Sequence, residues 1–291
     1  MATLPYLTSG IAPVDAQFRV ELEDFVVDEI PAYEPSGEGD HVFVHLEKRD
    51  LTTRDAIRQL CDAVGADRGA AGWAGLKDKR AVTRQWVSLF GIKPERLAAV
   101  ELPGVRVLEA IRHGQKLRTG HLRANRFRVR LREIDAPGIE RAREVLKKIG
   151  NVGLPNYYGE QRFGRDGDNA VRAARWVRGE MRPPRGAFSR KIEMSALQSH
   201  LFNQCVATRI DAEALGRVYL GDVVKRHDSG GVFVVTDRDE LPDTQARADR
   251  FEISATGPMF GAKMRWPEAD ARVREEALLE AAELTPNHLQ K

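Results

Sequence analysis

From residue 125 to residue 132 the chain alternates without a break. Phe127, Val129 and Leu131 fall on one side; Arg126, Arg128, Arg130 and Arg132 fall on the other. A period of two marks a β-strand with unlike faces. The pattern predicts a strand in a sheet that is buried on its apolar face and turns its arginines toward an anionic partner. Residues 41–48 alternate in the same way, and apolar runs at 70–76 and 86–90 read as further core strands. Between them a helical stripe of Ile57, Leu60, Cys61 and Val64 is started by Thr52 or Thr53 and ended by Gly65. Residues 137–150 read as an amphipathic helix, and residues 192–212 hold the longest helical pattern. Residues 221–225 and 231–235 read as a hairpin, and 111–122 as a basic loop.

Net charge is only +3 over 291 residues, so the arginine face gains meaning from its neighbours. Residues 106–132 carry nine basic side chains against Glu109 alone. A second basic run holds Arg172, Arg175, Arg178, Arg182, Arg185, Arg190 and Lys191, with Glu180 inside it. Basic blocks on a nearly neutral chain form a directed patch for a polyanion, unless their members sit in ordinary surface ion pairs. Cys61 and Cys205 are far apart and lack metal-ligand spacing, which predicts buried thiols in a reducing compartment. Residues 1–10 lack a secretory pattern and no run of about 18 apolar residues exists. The expected location is the cytoplasm, with no membrane partner.

Residues 74–85 join two of the strand-like runs and place one carboxylate, Asp78, among Lys77, Lys79 and Arg80. Nearby positive charge favours an ionised carboxylate, which can attack carbon without a separate base. The same cations can neutralise phosphates. Charged loops are usually only solvated, so this pattern alone does not make Asp78 catalytic.

The string Gly75-Leu76-Lys77-Asp78-Lys79, followed by Ala81-Val82-Thr83, resembles the signature loop of the TruD family of tRNA pseudouridine synthases. Pro155-Asn156-Tyr157-Tyr158-Gly159-Glu160-Gln161-Arg162-Phe163-Gly164 resembles the family's other diagnostic block. Asp24-Phe25-Val26-Val27 followed by Glu29, and Asn125-x-Phe127, are similar to its first and third motifs. The likeness runs from about Phe18 to the end of the chain. It implies an α+β fold: a pseudouridine synthase core with a mixed, largely antiparallel sheet flanked by helices, and a second α/β domain specific to the family. Domains are expected at 1–153 and 154–291, without the family's C-terminal returning strands.

The resemblance implies that Asp78 is the catalytic residue, attacking the ribose or removing a ribose proton. Phe25 would lie beside it and Arg19 would face it, where the family often carries Lys. Asn125 would hydrogen-bond nearby and Phe127 would pack against the target base. Lys77 would orient Asp78 or contact phosphate. Arg126, Arg128, Arg130 and Arg162 would contact RNA. The implied activity is conversion of a uridine of tRNA, position 13 in the family, to pseudouridine. No cofactor and no metal are expected, tRNA is the partner, and the protein is expected to be a monomer. The alternative is a catalytically silent tRNA-binding or RNA-binding protein, suggested by the absent C-terminal strands. A hydrolase with paired carboxylates would need a second acid near Asp78, and no motif supplies one.

Overall fold

The computed structural model describes residues 4–289, so the sequence expectations for the extreme termini fall partly outside it. The chain divides into two compact units. One is Val14–Ile139, and the other is made of the remaining described residues. The first unit contains β1 (Gln17–Phe18), β2 (Phe25–Pro31), β3 (His41–Arg49), α1 (Thr53–Val64), β4 (Gly72–Trp73), β5 (Val82–Phe90), α2 (Pro94–Ala98), β6 (Val105–His113), β7 (Leu122–Val129) and β8 (Leu131–Arg132).

Five strands form the sheet order β6-β3-β5-β2-β7, with β4 added to β5. Only β2 and β5 run parallel; the other ladders are antiparallel. β3 pairs with β5 along its whole length, so β2 and β4 must share the other edge. β2 occupies it from Val82 to Arg84, and β4 at Val87 and Ser88. The loop from β4 to β5 therefore leaves and re-enters the sheet where the two strands beside β5 part.

Pleating sends Val42, Val44, Leu46 and Lys48 of β3 to one face, with Thr83, Gln85, Val87 and Leu89 of β5. α1 lays Ile57, Leu60, Cys61 and Val64 onto the apolar end of that face. The Thr52 hydroxyl accepts the Asp55 amide at its start, and Gly65 closes it in the left-handed conformation at φ 66°. The same face continues onto β2 through Phe25, Val27 and Glu29, and onto β7 through Asn125 and Phe127. There α1 does not reach.

Two sequence expectations are corrected here. The strand 125–132 is not buried on its apolar side: Phe127, Val129 and Leu131 are all exposed. β7 is the edge strand, and the helix covering this face packs only on the β3–β5 end. The chain also breaks at Arg130, after which β8 pairs with β1 instead. The basic loop expected at 111–122 begins as strand, because β6 stays paired to β3 as far as His113.

The division between units falls inside α3 (Ala136–Val152), earlier than the turn at residues 150–155. The second unit continues with α4 (Asn169–Val177), α5 (Ala187–Asp211), β9 (Val223–Arg226), β10 (Val232–Val234), α6 (Leu241–Asp249), β11 (Ile253–Ala255) and α7 (Ala269–Ala281). Its antiparallel sheet has the order β10-β9-β11. One core joins Ala173, Leu197, Leu201, Phe260 and Leu279; a second joins Val218, Val224, Val235 and Ile253. Both cysteines are free and buried. Among the described residues no helix is long and apolar enough to cross a membrane.

Candidate active site

The carboxylate of Asp78 projects from the loop between β4 and β5 and stays half exposed, at 49%. Arg19 Nη2 lies 3.4 Å from its Oδ1. The Arg19 guanidinium also sits over the Phe25 ring, 3.8 Å from the centroid, and 5.1 Å from that of Phe18. This cation–π contact fixes the arginine from below. Arg19 adopts a left-handed backbone at φ 56°, a conformation that L-residues rarely take outside turns and functional sites. Phe25 is buried against Val27 and Ala81. It meets Phe127 at 5.9 Å between centroids, tilted by 44°. Arg19, Phe25, Phe127 and Asp78 thus form one contiguous group: an ionic pair on an aromatic floor, with one ring and the carboxylate open to solvent.

Lys77 does not join that group. Its ammonium is buried and pairs with Glu29 at 2.5 Å. The other Glu29 oxygen accepts the Trp86 amide at 3.1 Å, on β5 beyond its parallel pairing with β2. The loop that carries Asp78 is held by further buried polar groups. The Thr53 hydroxyl accepts the Lys77 amide and donates to Gln85 Oε1, each at 2.9 Å. Gln85 Nε2 donates to the Gly75 carbonyl at 3.3 Å. Lys48 Nζ donates to the carbonyls of Asp78 and Leu51, at 2.6 and 2.7 Å. Backbone groups turned inward need such partners, and here they are supplied from β3, β5 and the first turn of α1.

Asn125 stands opposite Glu29 in the β2–β7 ladder, beside the Lys77 pair. Its buried Oδ1 has no hydrogen-bond partner among the described residues. Arg126 and Arg128 alternate with Asn125 and Phe127 and so lie on the other face of the sheet from Asp78. Both are exposed, as is Arg130. Arg132 is drawn away from the basic run to the buried carboxylate of Asp24. Arg162 belongs to the other unit, on the short turn Glu160–Phe163. There it lies 5.0 Å from the Tyr158 centroid and donates to Ser195 Oγ at 3.3 Å. In the same unit Arg172 pairs with Glu193, and Arg175 and Arg178 with Glu180.

The sequence assigned no site role to Lys48, Gln85 or Glu29, and it offered Thr53 only as a possible start of α1. The register carried a signal. Lys48 follows Val42, Val44 and Leu46 on the buried side of β3, and Gln85 precedes Val87 and Leu89 on the buried side of β5. A charge or an amide in an apolar register requires a partner.

The model of the tRNA pseudouridine synthase D (TruD) family matches residues 2–181 and 189–291. A tRNA pseudouridine synthase D from Anaeromyxobacter dehalogenans is 45% identical over 287 residues, covering 97% of this chain and 81% of that protein. One from Thermus thermophilus is 45% identical over 276 residues, covering 94% and 76%. A crystal structure from Methanosarcina mazei has the same fold, with a TM-score of 0.80 at 22% identity, over 98% of this chain and 82% of the other.

Proposed function

The chain belongs to the TruD family of tRNA pseudouridine synthases, and from that premise we infer that it isomerises a uridine of tRNA to pseudouridine with Asp78 as its reacting carboxylate. The observation that carries the assignment is the Arg19–Asp78 pair set over Phe25. The carboxylate is the reacting group whether it attacks C1′ or removes a ribose proton, and the Arg19 guanidinium beside it holds it in place as an ion pair. The N1–C1′ bond breaks, the freed uracil turns, and C5 bonds to C1′; the C5 proton leaves to solvent and N1 takes up one proton in exchange. Atoms and electrons balance within the substrate, so the enzyme is an isomerase.

The exposed Phe127 ring, next to Phe25, offers a face for the displaced base. Asn125 has a free acceptor on the same sheet face, suited to a donor on that base. Arg126, Arg128 and Arg130 carry charge to the free edge of the sheet, and Arg162 does so on the other unit; these are phosphate contacts in this reading. The target is uridine 13, the compartment is the cytoplasm, and 1–153 and 154–291 act as catalytic core and family-specific domain.

The test is release of tritium from tRNA labelled at uridine C5, by the protein and by Asp78→Asn. Release by the first only, with tRNA bound by both, is expected. Full activity of Asp78→Asn sinks the assignment. Salt-sensitive tRNA binding without release by either favours a silent binder.

A further inference from the structure

We propose that Lys48 is a positioning residue for this reaction: its buried ammonium donates to the main-chain carbonyl of Asp78 and so fixes the peptide that carries the reacting carboxylate. The inference rests on the reading of Asp78 given above. Lys48 is fully buried, and both of its acceptors are main-chain carbonyls, those of Leu51 and Asp78. Among the described residues it forms no ion pair. A buried ammonium without a carboxylate destabilises a fold. An apolar side chain at this register would simply extend the row of Val42, Val44 and Leu46. The charge sits instead at the one loop peptide whose side chain faces substrate.

The contact does two things. It joins the end of β3 and the turn before α1 to the loop, so the Asp78 peptide has two rigid elements behind it. It also places a positive charge on the buried side of the peptide that carries the carboxylate. The groups facing Lys48 are Thr83 on β5, Val105 on β6, the Leu51 peptide and the Asp78 peptide. The charged ones are Asp78 and Lys77, the latter tied to Glu29.

Burial pushes the Lys48 ammonium down to about 8, with Asp78 opposing that shift and Lys77 adding to it. Its charged form is disfavoured in the fold, so loss of the proton above that pH removes a penalty, and stability rises toward the ordinary lysine value of 10.5. Positioning moves the other way, because a neutral amine makes a weaker bond than an ammonium. Activity and stability therefore diverge over one pH window, which a purely structural lysine does not produce.

The experiment uses the full chain, C5-tritiated tRNA, and the variants Lys48→Met and Asp78→Asn. Lys48→Met is expected to lose about 10²-fold in kcat while KM for tRNA stays within about threefold. The fall in wild-type kcat above about pH 8 should vanish in that variant. A folded Lys48→Met chain with kcat within about threefold of wild type, or a loss carried by KM alone, overturns the proposal. If Lys48→Met does not fold, the wild type decides. A fall in kcat near pH 8 with a rising melting temperature supports the proposal; a flat profile, or a fall that tracks unfolding, overturns it. Turnover by Asp78→Asn sinks the parent reading instead, whereas an inert Asp78→Asn beside an unaffected Lys48→Met sinks only the role of Lys48.

Discussion

The Lys77 ammonium lies 2.5 Å from the Glu29 carboxylate, with 5% and 1% of the two side chains exposed. The cation just before Asp78 in sequence is therefore sealed beneath the loop. It ties the loop to β2 at the place where β2 and β4 part along β5. Removing one partner leaves the other charged and buried, so either single change should cost more than both together. Lys77→Met is expected to lose about 3–5 kcal/mol, and Lys77→Met with Glu29→Gln should regain a large part of it. Urea unfolding of the two single variants and the double variant measures this. A double variant as weak as the sum of the singles would show that the pair is not coupled.

Phe25 and Phe127 touch, yet their exposures of 8% and 57% assign them different consequences. Phe25→Ala empties a packed position under the Arg19 guanidinium and should destabilise by about 3–5 kcal/mol. Phe127→Ala removes an exposed ring and should change stability by no more than about 0.5 kcal/mol. Its cost belongs to turnover, at about tenfold or more, because base–aromatic stacking is worth about 1–3 kcal/mol. Thermal melts beside tritium-release rates separate the two. A Phe127→Ala chain that melts early but turns over normally would contradict this division.

How much of this site was legible beforehand depended on the register of each residue. The string around Asp78 identified the loop, and the first and third motifs located Arg19, Phe25 and Phe127, which the fold brings together. Lys77 misled, because a cation adjacent in sequence to a carboxylate lies on the opposite side of an extended loop as readily as on the same side. The strand at 125–132 misled differently. Alternation specifies two faces, but whether anything covers the apolar one depends on the reach of α1, which the strand's own residues do not encode. Lys48, Gln85 and Glu29 were readable only as polar residues in buried rows, a signal that appears once the ladders are known.

Charge pairing divides the basic run at 172–191 into two groups. Arg172, Arg175 and Arg178 meet carboxylates, whereas Arg182, Arg185, Arg190 and Lys191 are exposed and form no ion pair among the described residues. The second group is free to release counterions from RNA. Each of Arg182→Ala, Arg185→Ala and Lys191→Ala should flatten the dependence of log affinity on log salt by about 0.7–0.9 if its side chain meets a phosphate. Arg172→Ala should leave that slope alone and loosen α4 from α5, since Glu193 is buried. Filter binding of tRNA over a range of salt concentrations, with melts of the same variants, checks both statements. Unchanged slopes in all three exposed variants would take this surface out of the RNA interface.

Arg132 leaves the arginine row of its strand to hold Asp24, with Nε at 2.7 Å from one carboxylate oxygen and Nη2 at 2.8 Å from the other. The Glu21 amide donates to the same carboxylate at 3.0 Å. The Arg132 guanidinium and that amide bring the Asp24 carboxyl down from 3.8 to about 2. A depressed carboxylate contributes stability that is complete above its unfolded value and is lost as pH falls through its folded one. The contribution should thus persist at pH 5 and disappear between about 3.8 and about 2. Asp24 immediately precedes Phe25, and its carbonyl accepts the Arg130 amide at 2.8 Å, so the Arg132–Asp24 pair anchors the start of β2 to β8, just past the end of β7. Arg132→Met leaves Asp24 buried without its cation and should move the acid-unfolding midpoint to higher pH. Asp24→Asn should lower stability at neutral pH and flatten the acid limb. Circular dichroism from pH 7 downward follows both. An acid limb unchanged in Asp24→Asn would mean that other carboxylates govern acid unfolding, and that the β2 start is held by its backbone bonds alone.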